Sequence, residues 1–337
     1  MSKVTMESIA IELGISKNTV SRALRGLSGV SEDVRQKIVT LAEDSGYKIK
    51  SETGTLYHIV MVHRKVLAED LTFWPVVLSG IMTFAADKGI SIRVITIDSE
   101  NGNGNNSQLQ SIKSQKCDGL LVVSDIDDKS LHTLTEFNLP MVVVDYHSDI
   151  FDCDYVVTAN RKGIFKALSH LVENNHTKIG FVGNKADRYS YRERYHAYRY
   201  YMQEFGLLVD DRNVWLDVGY HEYDFYKRKI DELGNKELNH NCNLATAYLC
   251  VNDAMAVDFA IALGEYGYHV PDDISIVGFD NIGYPGGRLF TTLDVKKQAM
   301  GKRAVEQLLA KISNPEKTFE TISINTELIT RDTVKKL

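Results

Sequence analysis

The sequence has few of the features that mark secreted, metal-binding or membrane proteins. It contains four cysteines in 337 residues, and no two of them form a C-x-x-C pair. Scattered cysteines argue against a zinc site or a disulfide framework. No apolar run reaches the roughly 18 residues of a membrane helix, and the opening MSKVTMESIA lacks a signal-peptide pattern. These absences predict a cytoplasmic protein with no membrane partner.

Signatures of catalysis are also missing. The ten histidines form no H-E-x-x-H pattern, and the glycine-rich run at 102–106 lacks the Lys-Ser/Thr of a phosphate-binding loop. No activated nucleophile or paired acid and base stands out. We therefore expect no metal, no cofactor and no enzymatic activity. An enzyme that processes sugars or nucleotides remains a rival hypothesis, and turnover of a bound sugar would decide for it.

The charge is distributed unevenly along the chain. The whole sequence has a net charge of −6, with 39 basic and 45 acidic residues. Residues 1–50 nevertheless hold eight Lys/Arg against six Asp/Glu, so the basic excess lies at the N-terminus. A basic segment on an acidic bulk is compatible with nucleic-acid binding, because the acidic part can be held away from the phosphates.

The stretch 6–25, MESIAIELGISKNTVSRALR, predicts two short helices joined by a tight turn. Gly14 stands where a left-handed turn residue is needed, and Ser16 stands where the second helix needs an N-cap. The apolar positions of the pair are Ile9, Leu13, Ile15, Val20 and Ala23. This spacing is typical of a helix-turn-helix. An ordinary helical hairpin is the alternative.

The second helix of this pair exposes side chains that suit DNA. They are basic or amide-bearing, or they carry hydroxyl groups, as contacts to base edges and phosphates require. The exposed positions are Lys17, Asn18, Thr19, Ser21, Arg22 and Arg25. We therefore predict that this helix reads the major groove.

The remaining chain is predicted to alternate between strands and helices. A third helix with Val34, Ile38, Leu41 and Ala42 on its buried face completes a headpiece over 1–47, and the polar stretch 48–56 predicts a linker. Strands are expected at 58–63, 91–97, 119–124, 140–145, 178–183, 213–218, 246–251 and 274–279. Such alternation indicates an α/β core over 57–337 with parallel sheets, covered by helices on both faces.

Polar and aromatic side chains follow several of these strands. In open α/β sheets ligands bind beyond the carboxyl ends of the strands. The candidates there are Phe73, Trp74, Asp145, Tyr146, Arg188, Tyr189, Tyr191, Arg192, Arg194, Tyr220, Asn252, Asp253, Asp280 and Asn281. Carboxylate, amide and guanidinium groups together with flat rings suit a small polyhydroxyl ligand. Any single Asp or Asn at such a position is an ordinary helix cap in the alternative interpretation.

At this point the sequence resembles the LacI–GalR family of regulators almost from end to end. The headpiece resembles it in SIAIELGISKNTVSRAL and VSEDVRQKI. The core resembles it in CDGLLVV, PMVVVD, HLVENNHTKIGFVG, CVNDAMA, GYHVPDDISIVGFDN and TTLDVKKQAMGKRAVEQLL. The resemblance implies an allosteric transcription regulator, with a headpiece on DNA and a two-lobed core like that of periplasmic sugar-binding proteins.

The resemblance also assigns roles and boundaries. It implies base readers at Lys17, Asn18 and Arg22, with Ser16, Thr19 and Ser21 as backbone or phosphate partners. It implies effector contacts at Phe73, Asp145, Arg194, Tyr220, Asn252 and Asp280. The first lobe is expected at about 57–158 and 291–318, and the second at about 159–290 and 319–337. A homodimer is expected, because palindromic half-sites need a two-fold protein.

The chain departs from the family pattern at three places. The stretch 47–56, YKIKSETGTL, lacks the Pro and the Ala-x-x-Leu of the usual hinge helix. Ala159-Asn160 stands where the family has Asp-Asn. Arg194 is followed by Tyr195-His196-Ala197, where the family favours Gly before an aromatic. The linker is therefore expected to be atypical, and the pocket to differ in shape.

The sequence thus predicts a DNA-binding transcriptional regulator, a repressor under the control of a sugar-like effector. One alternative is a sugar-binding protein without regulatory DNA binding. Another is a regulator that responds to a phosphorylated metabolite, with Arg188, Arg192 and Arg194 as phosphate partners, or to a partner protein.

Overall fold

The computed structural model describes residues 5–24, 30–44, 57–64, 72–97, 109, 111–112, 116–123, 126–184, 188–219, 221–234, 243–283 and 289–337. The atypical linker at 48–56 and the candidate Tyr220 lie outside these residues. The helices within them are α1 Met6–Leu13, α2 Lys17–Leu24, α3 Glu32–Asp44, α4 Trp74–Asp87, α5 Asp128–Thr135, α6 Asn160–Glu173, α7 Tyr189–Glu204, α8 Tyr223–Gly234, α9 Asp253–Glu265 and α10 Lys297–Ser313. None of the helices in the described ranges is long and apolar enough to cross a membrane.

The first three helices form a small unit with its own core. Thr5 and Ser8 form a capping box that satisfies the first backbone N–H groups of α1. Gly14 ends α1 in the left-handed region, with φ 64°, as the turn signal predicts. The buried core of the unit consists of Ile9, Ala10, Val20, Ala23, Ile38 and Ala42. The predicted helix-turn-helix and its third helix are therefore confirmed.

The strands of the core form two six-stranded sheets. The strands are β1 His58–Arg64, β2 Ser91–Ile97, β3 Gly119–Val123, β4 Met141–Val144, β5 Asp154–Thr158, β6 Ile179–Val182, β7 Val214–Trp215, β8 Ala247–Cys250, β9 Ser275–Phe279, β10 Thr291–Val295, β11 Thr321–Ile324 and β12 Thr326–Ile329. The first sheet has the order β11-β5-β4-β3-β1-β2, and the second has β12-β10-β9-β8-β6-β7. The predicted α/β core with parallel sheets is confirmed.

Four of these strands are absent from the sequence prediction, and two of them change the expected lobe boundaries. Thr291–Val295 pairs in parallel with β9 of the second sheet, although it was expected in the first lobe. Thr321–Ile324 pairs in parallel with β5 of the first sheet, although it was expected in the second lobe. Both strands begin with threonine and lack a long apolar run, so local pattern does not reveal which sheet they join.

Helix α10 packs on the first sheet and meets α4 at unusually short range. A Cβ added at Gly80 would lie 2.2 Å from the carbonyl oxygen of Gln298, and one added at Gly301 would lie 2.2 Å from that of Val77. The two glycines therefore allow the helix backbones to touch. This close crossing fixes the N-terminal end of α10, which begins immediately after the chain leaves the second sheet.

Candidate functional site

Helix α2 presents the predicted DNA-contacting residues on its surface. Val20 and Ala23 point into the three-helix core, whereas Lys17, Asn18 and Arg22 are exposed. Thr19 and Ser21 are half-buried, and Ser16, which precedes the helix, is exposed. The helix is thus amphipathic, with its polar face directed away from the core. This is the arrangement that a recognition helix requires.

Three of these side chains also make contacts within the headpiece. The hydroxyl oxygen of Ser16 accepts a hydrogen bond from the Thr19 backbone N–H at 3.0 Å, so Ser16 is the predicted N-cap. The two hydroxyl groups lie 2.8 Å apart. Lys17 Nζ donates to Glu7 at 2.9 Å, and both of these side chains are exposed. A phosphate or base therefore competes with Glu7 for Lys17 in any complex.

Arg194 is the centre of a buried polar network in the second lobe. It lies on α7 and is only 1% exposed. Its Nε donates to Asn160 Oδ1 at 2.8 Å, and its Nη1 donates to the Val251 carbonyl at 2.7 Å. Its guanidinium carbon lies 3.7 Å from the centre of the Phe279 ring. Such a network holds the guanidinium in one orientation, as recognition of a polar ligand requires.

Asp280 is the carboxylate partner of Arg194. Its Oδ1 lies 3.1 Å from Arg194 Nη2. The pair is an ion pair without the angles of a hydrogen bond, since the same oxygen has no hydrogen-bond partner. Asp280 follows β9 with a φ of 96°, a backbone conformation that non-glycine residues rarely adopt. This strained position at a strand end is typical of functional residues.

Asn252 combines the two roles that the sequence left open. Its Oδ1 accepts the Met255 N–H at 2.9 Å, which makes it the N-cap of α9. Its Nδ2 donates to the Tyr191 hydroxyl at 2.7 Å. Tyr191 in turn lies beside the Arg194 guanidinium, 5.9 Å from the ring centre. Asn252 is therefore a helix cap that also belongs to the network around Arg194.

Asp145 is the polar strand-end residue of the first lobe. It follows β4 with a φ of 56° and is buried. Its Oδ1 accepts the Thr158 hydroxyl at 3.0 Å. The link to α7 of the second lobe is aromatic: the Tyr146 and His147 rings lie 6.1 and 6.0 Å from the Tyr189 ring. Burial raises the pKa of the Tyr189 hydroxyl, and the negative charges of Glu193 and Asp145 add to the rise.

Phe73 is buried at the start of α4. Its ring packs edge-on against Trp74 with a centroid distance of 5.2 Å. The ammonium group of Lys297 lies 5.9 Å from the ring centre. The same ammonium donates to the backbone carbonyl of Asp280. Phe73, Lys297 and Asp280 are therefore neighbours.

A second buried carboxylate, Asp253, hydrogen-bonds to the backbone of the segment that follows Asp280. Asp253 accepts hydrogen bonds from the Thr292 hydroxyl and the Ile282 N–H, both at 2.7 Å. A Cβ added at Gly278 would lie 2.0 Å from its Oδ1, so only glycine admits this carboxylate. Burial raises the pKa of the Asp253 carboxyl to about 7, although the two donated hydrogen bonds lower it.

The loop that carries Tyr220 is described only at its flanks. The His221 N–H donates to Asp258 Oδ2 at 3.0 Å, and the Tyr223 hydroxyl donates to Asp258 Oδ1 at 3.1 Å. Asp258 is buried in α9. The structure thus places the downstream flank of the loop on α9 and leaves the role of Tyr220 as a prediction.

Sequence reasoning missed several residues of this site. Thr158 ends β5, a strand that the sequence pattern did not reveal, and Asn160 begins the following helix; neither was assigned an effector contact from the sequence. Lys297 gave no signal, because a lysine at the start of an amphipathic helix is ordinarily solvated. Within the described ranges no group of three or more His, Cys, Asp or Glu side chains is placed to hold a metal ion.

Comparisons with known proteins agree with this architecture. Residues 5–49 match the model of bacterial regulatory proteins of the lacI family, and residues 168–334 match a periplasmic binding protein-like domain. The HTH-type transcriptional repressor PurR of Mannheimia succiniciproducens is 27% identical over 344 residues, and that of Photobacterium profundum is 28% identical over 343 residues. Each match covers 99% of both chains.

Solved structures show the same fold. The transcriptional regulator CelR–cellobiose complex is similar with a TM-score of 0.71 at 20% identity, covering 98% of this chain and 100% of that one. The lac repressor dimer bound to operator and the anti-inducer ONPF is similar with a TM-score of 0.69 at 19% identity, covering 99% and 100%.

An N-terminal helix-turn-helix joined to a periplasmic-binding-protein-like core defines a class of DNA-binding transcriptional regulators. The chain combines a helix-turn-helix domain that matches the lacI family of bacterial regulatory proteins with a periplasmic-binding-protein-like domain. The two relatives are named as transcriptional repressors.

Proposed function

We propose that this protein is a homodimeric repressor that releases or binds its operator in response to a small polar effector, a sugar or a sugar derivative. The effector binds between the two lobes of the core. The proposal depends chiefly on one observation, the buried network of Arg194 with Asp280 and Asn160.

The network supports a polar effector because its groups are oriented before any ligand arrives. Arg194 is held by three separate contacts, and the Asp280 oxygen that faces it makes no hydrogen bond of its own. A sugar hydroxyl can donate to such a carboxylate and accept from such a guanidinium. Oriented groups bind with little loss of side-chain entropy. Asp145 of the first lobe supplies a further carboxylate.

Control of DNA binding requires that the effector bind differently to two arrangements of the protein. An effector with equal affinity for both would change nothing, and the coupling between effector and operator is reciprocal. Contacts to the strand ends of both lobes supply such a difference, because they form together only at one lobe angle.

The DNA-binding part is tested with the recognition helix. An operator selected from random duplexes by the purified protein serves as the probe, and affinity is measured by fluorescence anisotropy. Arg22→Ala is expected to weaken specific binding by roughly 1–3 kcal/mol, the value of a good contact to a base pair. Asn18→Ala is expected to change which operator is preferred.

Lys37→Ala is the matched control for these variants. Lys37 is an exposed basic residue of the same headpiece on α3, outside the predicted recognition helix. It is expected to leave sequence preference unchanged. Equal operator affinity and preference in wild type, Arg22→Ala and Asn18→Ala would refute the assignment of α2.

A further inference from the structure

Lys297 is a buried lysine that neither the fold nor the proposed sugar contacts require. It is 8% exposed and is the first residue of α10. Lysine is rarely buried unless it is paired, because removing an ammonium group from water is costly. A buried lysine beside the residues of a binding site is therefore a candidate ligand contact.

The helix itself also opposes a cation at this position. The N-terminal end of an α-helix carries partial positive charge from its unpaired N–H groups. The first turn of α10 contains no acidic residue, and its N-cap, Lys296, makes no side-chain capping bond. The first intrahelical bond is from the Met300 N–H to the Lys296 carbonyl. The N–H groups of 297–299 therefore have no intrahelical acceptor.

Lys311 shows the contrasting case on the same helix. It is as buried as Lys297, at 7% exposed, but it lies in the last turn, where a cation is favoured by the helix dipole. Its ammonium donates to the Lys317 carbonyl and lies 4.0 Å from the centre of the Phe319 ring. The fold accounts for Lys311 without a ligand.

The protein partners of Lys297 leave its charge incompletely balanced. Its ammonium donates to the Asp280 carbonyl and, at 3.4 Å, to the Val295 carbonyl. Among the residues that the structure describes, it forms no ion pair with a carboxylate. An ammonium has three N–H donors. One donor and the formal charge thus remain for another group.

The neighbouring carboxylates are engaged elsewhere. Asp294 and Asp253 both act electrostatically on Lys297. Asp294 is held by Lys296 and by Asn281 Nδ2. Asp253 accepts from Thr292 and Ile282. The Asp280 carboxylate faces Arg194.

The Lys297 ammonium contacts residues of both lobes. It lies 5.9 Å from the Phe73 ring of the first lobe and contacts the Asp280 backbone of the second. Both residues are predicted effector contacts. A group bound to Lys297 therefore lies in the same site as the proposed effector.

We propose that the effector carries an oxyanion, a carboxylate or a phosphate group, that binds the Lys297 ammonium and the free N–H groups of the first turn of α10. Anions bind at helix N-termini for these reasons of charge and geometry. The inference depends on the proposed effector site and specifies its ligand class, an acidic sugar or a sugar phosphate rather than a neutral sugar.

The test is a titration of the full-length protein with three matched probe sets. One contains neutral pentoses and hexoses, one the corresponding sugar acids, and one the corresponding sugar phosphates, with inorganic phosphate as a separate probe. Binding is measured by isothermal titration for wild type and for Lys297→Met, Lys297→Arg and Lys311→Met. The unfolding midpoint of each variant is recorded to show that it folds.

We expect binding of an acid or a phosphate that Lys297→Met weakens roughly 10- to 100-fold, the value of a charged hydrogen bond. Lys297→Arg is expected to retain part of the affinity, and Lys311→Met all of it. The two acidic sets distinguish a carboxylate from a phosphate. If Lys297→Met fails to fold, two other measurements test the inference. They are the affinity of Lys297→Arg for the acidic probe and the preference of wild type for acidic over neutral probes.

The opposite results overturn the inference. If neutral sugars bind in an Asp280-dependent manner and no acidic probe binds more tightly, the effector site stands and the oxyanion inference is wrong. If an acid binds equally to wild type and Lys297→Met, the inference is also wrong. If no probe of any set binds, both the oxyanion inference and the sugar-class effector are rejected.

Discussion

The two lobes of the core share one strand order but hold their buried polar groups in different ways. The first strand of each lobe, β1 or β6, lies second from one edge of its sheet. The next strand forms that edge, and the strands that follow it in the chain add on one after another toward the opposite edge. The first lobe contributes one carboxylate, Asp145, fixed by Thr158. The second contributes the network of Arg194, Asn160 and Asp280. Similar topology therefore does not determine how strongly a lobe orders its polar groups.

The lobes differ in whether the buried carboxylate faces a charged or a neutral partner. In the second lobe a buried cation and a buried carboxylate face each other, and removing either leaves the other without compensation. In the first lobe the carboxylate has a neutral hydroxyl partner. We infer that the second lobe is ordered before the effector binds and that the first lobe completes the site. Three variants test this comparison, with expected effects from largest to smallest.

Arg194→Met is expected to destabilise the protein by roughly 3–5 kcal/mol, because it leaves the buried Asp280 carboxylate unpaired. The free energy of unfolding is measured by urea denaturation. Arg194→Met combined with Asp280→Asn should cost less than the sum of the two single variants, since the pair acts as a unit. Additive costs would mean that the ion pair does not order the second lobe.

Asp253→Asn is expected to change how stability depends on pH. The folded-state pKa of Asp253 is raised from 3.8 to about 7, so the folded protein holds a proton that the unfolded chain releases. Stability therefore falls as the pH rises from about 4 to about 7, by an amount on the order of 4 kcal/mol, and is level above that range.

The measurement for Asp253 is the difference between two pH profiles. Unfolding free energies of wild type and Asp253→Asn are compared from pH 4 to pH 8, so that contributions from other groups cancel. The variant should lack part of the decline seen in wild type. Parallel profiles would show that Asp253 keeps an ordinary pKa in the folded protein.

Thr158→Val should have the smallest effect, about 1 kcal/mol, the net value of one hydrogen bond. It removes the hydroxyl that donates to Asp145 while keeping the shape of the side chain. Urea unfolding measures the cost. A loss of unfolding free energy as large as that of Arg194→Met would contradict the inferred difference between the lobes.

Much of the site could be predicted from strand-end residues. Arg194, Asn252 and Asp280 are strand-end candidates that the family resemblance also singles out, and the structure brings them into one network with Tyr191. Asp145, another strand-end candidate, and Phe73, which lies near the first crossover, belong to the first lobe. What could not be predicted was the set of partners, because Arg194 contacts residues 34 and 57 positions away.

The strand prediction failed where strands are short and poor in apolar residues. Thr321–Ile324 and Thr326–Ile329 are separated by one residue, yet they pair in different sheets, one parallel and the other antiparallel. No local pattern distinguishes them. Each strand completes the edge of a different sheet, so its assignment depends on which edges are open once the sheets have formed.

The sequence by itself determined the three-helix headpiece and the alternation of strands and helices in the core. Short-range rules act there: a cap at Ser16, a left-handed glycine at position 14 and apolar residues at helical spacing. Only the tertiary structure decided which lysine is buried beside Phe73 and which aspartate is held in a strained conformation. Burial and charge compensation are set by groups from distant parts of the chain, and these meet only after the sheets have formed.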